Sequence, residues 1–129
     1  MRSLSSREVH LLGDVIDFAR RSSEYARQLA AEATMAEHAL RYALQCVYEA
    51  CIQIEGKRES GRFAELFPGE DIRQIRRVAN EGRHDYGRQQ IDELVADVDQ
   101  RVPALSARAE ELLSAHRRLH GADPGRLQD

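Results

Sequence analysis

The sequence predicts an all-α fold: an antiparallel four-helix up-and-down bundle with a kinked last helix. Three observations carry that reading. Apolar residues recur three and four positions apart through most of the chain, the repeat of helices that bury one face. No stretch alternates convincingly with period two, the signature of a strand. Glycine and proline gather where the helical repeat stops, at Gly61, Pro68 and Gly69 and again at Gly82 and Gly87.

The first helix is expected over about residues 5–29. Val9, Leu12, Ile16 and Ala19 trace its stripe, Val15 widens it, and Ser5 and Ser6 suit its N-cap. The second, over about 35–54, repeats Leu40, Leu44, Val47, Cys51 and Ile54, spaced by four and three. Such spacing makes a bundle seam. Residues 56–69 then read as a loop, with a short turn around Phe63 to Phe67. A third helix starts near Glu70 and Asp71, whose charges favour a helix N-terminus, and carries Ile72, Ile75, Val78 and Ala79 on one face. Gly82 weakens its last turn. The fourth helix holds Ile91, Leu94, Val98, Val102, Leu105, Leu112 and Leu119. Pro103 falls inside it and kinks or restarts it, because proline lacks a backbone donor and crowds the preceding turn. Residues 1–120 thus form a single helical domain, and 121–129 a flexible tail.

Composition narrows the function. A chain of 129 residues, 42% hydrophobic and 32% charged, has the balance of a folded domain rather than of a disordered one. Aromatics are only 5%, without Trp, so base stacking is not expected as the main device of recognition. The net charge of −3 excludes an overall basic coat but not a local basic site. No apolar run approaches the roughly 18 residues of a spanning helix, and the first ten residues lack the apolar core of a signal peptide. Cys46 and Cys51, five positions apart on one helix, point about 140° from each other and read as reduced core thiols. A cytoplasmic protein with no membrane contact is expected.

The informative segment is residues 73–88, R-Q-I-R-R-V-A-N-E-G-R-H-D-Y-G-R. It holds Arg73, Arg76, Arg77, Arg83 and Arg88 against Glu81 and Asp85, a local excess of +3. At 100° per residue Arg73, Arg77, Asn80 and His84 fall within about 60° of each other, opposite Ile72, Ile75 and Ala79, if the helix runs through Gly82. A guanidinium can hold a phosphate bidentately, and an imidazole can move a proton near neutral pH. Cleavage of RNA by its own 2′-OH needs those two services and in principle no metal. The plainer account is an amphipathic helix that shows Arg, Asn and His to water.

R-x6-H-x-Y, from Arg77 to His84 and Tyr86, resembles the R-x4–6-H motif of the HEPN superfamily, and within it the HepT-like toxin ribonucleases, whose motif continues into H-x-Y. The segment H-A-L-R-Y-A-L-Q-C-V-Y-E-A-C-I-Q-I looks like that family's second helix, leading to Glu49 and Ala50. F-P-G-E-D-I-R-Q-I-R-R resembles the loop into the motif helix, and V-P-A-L, from Val102, the pattern after it. The likeness covers about residues 36–113. It implies a HEPN-like helical homodimer that acts as a metal-independent endoribonuclease toxin of a type II toxin–antitoxin system. The antitoxin would be a nucleotidyltransferase of the MNT type. By the same resemblance Arg77 and His84 are catalytic: Arg77 holds the scissile phosphate, and His84 is base or acid at the 2′-OH or the leaving oxygen. Arg73, Arg76, Asn80 and Arg83 are expected at RNA phosphates, with Arg83 left open between gripping RNA and meeting solvent. Tyr86 matches the tyrosine that the antitoxin AMPylates, adding bulk and negative charge beside the cleft. HepT-like proteins most often place Arg directly before the Asn, where this chain has Ala79. Arg77 takes the role because it lies about 20° from the face of His84, whereas Arg76 lies about 80° away.

No cofactor is expected, and no metal site. His116 and His120 are spaced to clasp an ion from one helix, but Arg117 and Arg118 lie between them and the pair suits a solvated helix end. His10 and His38 read as surface or half-buried positions, Tyr42 and Tyr48 as packing or dimer contacts. The acids Asp92, Glu93, Asp97 and Asp99 read as charge placement at a helix start. A reading of a different class stays open: a noncatalytic binding or dimerisation module that holds a nucleotidyltransferase partner or a nucleotide.

Overall fold

The structure, a computed structural model, describes residues 3–29, 33–84 and 90–120. Among them every regular element is a helix: α1 (Ser6–Gln28), α2 (Ala33–Glu55), α3 (Arg62–Leu66), α4 (Ile72–His84), α5 (Ile91–Asp99) and α6 (Arg101–His120). The tail expected over 121–129 lies outside the described residues.

Local chemistry sets the helix ends. Ser5 caps α1 through a reciprocal box: Glu8 N donates to Ser5 Oγ at 3.0 Å, and Ser5 N donates to Glu8 Oε1 at 2.9 Å. Gly56, at φ +87°, adopts the left-handed turn that takes the chain out of α2. Asp71 opens α4, its Oδ1 accepting from the N–H groups of Arg73 at 2.9 Å and Gln74 at 3.4 Å.

Helix α2 is the hub: α1, α3, α4 and α5 all pack on it, and α6 packs on α1 and α5. Its expected seam of Leu40, Leu44, Val47, Cys51 and Ile54 is buried throughout, and Tyr48 joins it. On α1 the buried face is Leu11, Leu12, Val15, Ala19 and Ser22, while Val9 and Ile16 are only partly covered. The stripe is rotated from the expected one because α1 is covered from two sides, by α2 and α6. Ser22 satisfies its buried hydroxyl by donating to Ala19 O at 2.8 Å.

One expectation is sharpened and one corrected. The short turn expected around Phe63 to Phe67 is the helix α3, and its aromatics belong to the core. Phe63, Leu66 and Phe67 are buried, the two rings stacked with centroids 4.8 Å apart. The single kinked fourth helix is instead two helices, broken at Gln100. Pro103 occupies the third position of α6, where a missing N–H removes no intrahelical hydrogen bond, so the chain restarts before the proline rather than bending at it.

A buried ion cluster ties α3 to α1. Arg62, 2% exposed, donates through Nε to Glu8 Oε2 at 2.6 Å, through Nη2 to Ser3 O at 3.0 Å, and through Nη1 to Glu65 Oε1 at 2.8 Å. Glu55, also buried, accepts from the N–H groups of Gly61 and Phe63, both at 3.0 Å. The connection between α2 and α4 is therefore held by charge inside the fold as well as by its aromatic residues. No helix among the described residues is long and apolar enough to cross a membrane.

Candidate functional site

The site begins with the amphipathic pattern of α4. Ile75, Ala79 and Gly82 are buried, while Arg73, Arg77 and Asn80 are exposed on the opposite side. The backbone stays helical through Gly82 to His84, so the register that relates Arg77 to His84 is kept. The structure thus brings Arg73, Arg77 and Asn80 to one solvent face. The side chains of Arg83 and His84, and residues 85–89 with Tyr86, lie outside the described residues.

Two bonds from side chains to carbonyls fix the rotation of α4. Arg76 Nη2 donates to Gly56 O at 2.8 Å, at the end of α2. One turn later Gln45 Nε2, on α2, donates to Ala79 O at 2.9 Å and to Glu49 Oε1 at 3.1 Å. Arg77 lies between these anchors. Arg76, expected at RNA phosphates, is half-buried and faces a backbone carbonyl and the charge of Glu55. Its position, about 60° from that of Arg73 around the helix, turns it toward α2.

Charge decides from which side an anion can approach. Arg73 has only a loose contact with Glu59, 3.8 Å away with both side chains exposed, an arrangement worth little in water. Arg77 has no partner among the described residues. On the other flank, a cavity of about 120 Å³ between α4 and α5 is lined by Glu81, Glu93, Asp97 and Arg101, among others. Its carboxylates repel phosphate, so an anion meets α4 on the face of Arg73, Arg77 and Asn80.

That flank holds the network that sequence reading misses. The Tyr48 hydroxyl, on α2, donates to Asp97 Oδ2 on α5, and Arg101 Nη1, on α6, lies 3.6 Å from the same oxygen. Burial and the Asp97 charge push the Tyr48 phenol well above its ordinary range, which keeps it a donor. Arg101 Nη1 is buried without a hydrogen-bond partner among the described residues. The only sequence signal was the i, i+4 spacing of Asp97 and Arg101.

Other expected positions fall as follows. Cys51 is buried, which pushes its thiol up to about 12, and Cys46 is half-buried. Both are free. His10 is exposed, 3.7 Å from Asp14. Tyr42 is exposed and meets Phe18 edge-on, with ring centroids 6.3 Å apart.

Compared with protein-family models, with curated proteins and with solved structures, the chain matches none.

Proposed function

We propose that this chain is a HEPN-type ribonuclease of the HepT-like kind. In this reading it is an antiparallel four-helix bundle, with α5 and α6 together as the fourth arm, that dimerises and cuts RNA without a metal ion in the cytoplasm. An MNT-type nucleotidyltransferase silences it. The observation that carries the reading is α4 itself. It is an unbroken helix from Arg73 to His84, anchored on both sides of Arg77, with Arg77 and Asn80 exposed opposite a buried Ile75 and Ala79. An all-helical fold in which this helix packs on α2 supports it further.

The chemistry follows from the residue types. The Arg77 guanidinium grips two oxygens of the scissile phosphate and gains strength as charge develops there. The His84 imidazole serves as base at the 2′-OH or as acid at the departing 5′ oxygen. The 2′ oxygen attacks phosphorus and the bond to the 5′ oxygen breaks, which leaves a 2′,3′-cyclic phosphate and a 5′-hydroxyl. Asn80 and Arg73 hold the neighbouring backbone, and Arg83 adds charge to the segment. An adenylate on Tyr86 would place a negative group next to these cations and repel RNA.

The test is to incubate the purified protein and its His84→Ala variant with cellular RNA in EDTA. Cleavage by the parent alone, leaving cyclic phosphate ends, is expected. If neither protein cuts, with AMP on Tyr86 excluded by mass spectrometry, the nuclease reading fails and a noncatalytic binding module takes its place.

A further inference from the structure

Helix α6 ends in two imidazoles. His116 and His120 are one turn apart and both half-buried, and their rings lie 4.3 Å apart between centroids, tilted by 43°. An i, i+4 histidine pair is the spacing by which one helix grips zinc in H-E-x-x-H sites, because both rings leave the same face. A metal about 2.0 Å from a ring nitrogen sits about 3.2 Å from the ring centre, so one ion spans two ring centres about 4.5–5.2 Å apart. The observed 4.3 Å is close to that span.

The helix end adds a second consideration. His120 lies in the last turn of a 20-residue helix, whose negative dipole end favours a cation, and His116 lies one turn before it. Arg117 and Arg118 oppose this with their charge, but both are exposed and lie about 100° and 200° around the helix from His116. Among the described residues no group of three His, Cys, Asp or Glu forms, so solvent fills the remaining positions and the ion can exchange.

We propose that His116 and His120 form a two-imidazole site for a divalent transition-metal ion, Cu(II) before Ni(II) by the general affinity order for imidazole ligands. This departs from the solvated helix end that the sequence suggests. The ring contact, which spacing alone does not give, is the reason. The site has no part in the RNA chemistry proposed above.

The full chain is titrated with Cu(II) in a buffer without nitrogen ligands and followed by electron paramagnetic resonance. One site per chain is expected, with an axial signal split by two nitrogens. His116→Gln and His120→Gln, checked by circular dichroism for an intact fold, should each weaken binding at least tenfold and leave one nitrogen in the signal. His10→Ala and His38→Ala should bind as the parent does. Unchanged affinity in either glutamine variant overturns the proposal, as does a parent signal that lacks the second nitrogen.

Discussion

The Tyr48 hydroxyl donates its hydrogen bond to Asp97 Oδ2 and joins the hub helix to the helix that follows the motif segment. The phenol is buried, so its loss cannot be replaced well by water. Tyr48→Phe removes the donor and leaves Asp97 with Arg101 at 3.6 Å. Its unfolding free energy in urea should fall by about 1–3 kcal/mol. Asp97→Asn should cost less in the Tyr48→Phe background than in the parent, since the two residues share one interaction. Strict additivity would mean that the aspartate charge adds nothing to the bond.

Arg62 should be the most sensitive charged residue. It is almost wholly buried and Glu8 is its main ionic partner. Arg62→Met strands Glu8 in a poorly solvated place, which costs about 3–5 kcal/mol. Glu8→Gln, which keeps a hydrogen-bond acceptor, should cost less. Equal losses in the two variants would show that stranding the Glu8 charge adds no cost beyond the lost ion pair.

Acid should unfold the protein through two glutamates. The hydrogen bond from Arg62 lowers the Glu8 carboxyl below its ordinary value, against the opposing effect of burial. Burial alone would raise Glu55, but donors from Gly61, Phe63 and Ser60 and the charge of Arg76 outweigh it, and the net direction is again downward. Both groups bind protons more weakly folded than unfolded. Their contribution is therefore complete above the ordinary glutamate range of about 4.3, and it is lost as pH falls through the lowered folded values. Tm measured from pH 7 down to pH 3 should drop steeply in the acid limb. Glu55→Gln should be less stable at pH 7 and show a shallower acid limb, and an unchanged limb would remove Glu55 from the cause.

The two neighbouring arginines of α4 should separate by phenotype. Arg77 is exposed, so Arg77→Ala should abolish RNA cleavage by a hundredfold or more while shifting stability by less than about 0.5 kcal/mol. Arg76 holds Gly56 O, so Arg76→Ala should lose about 1–3 kcal/mol of stability. Cleavage that survives in the Arg77 variant and vanishes in a stably folded Arg76 variant would reverse the assignment.

Much of this was legible in the sequence because helical burial has a period. The seam from Leu40 to Ile54 is buried residue for residue, and the polar face of α4 is where a 100° step places it. What stayed hidden depends on partners distant in sequence. Arg76 looks like any cation of a basic segment until Gly56 O, 20 positions away, comes into reach. Phe63 and Phe67 stand among turn residues, and only the packing of α3 on α2 makes them core. The break at Gln100 is hidden for another reason: proline marks a helix interruption clearly, but the first turn of a new helix tolerates it as well as a kink does.

Arg62 stands 54 positions after Glu8 and 59 after Ser3. During synthesis, Glu8 leaves the ribosome long before the cation that will neutralise it, and until then it serves only the capping box of its own helix. The start of α1 can form early as a local turn and α1 can pack on α2, but the ion pair that covers Glu8 closes only once the connection after α2 is in place.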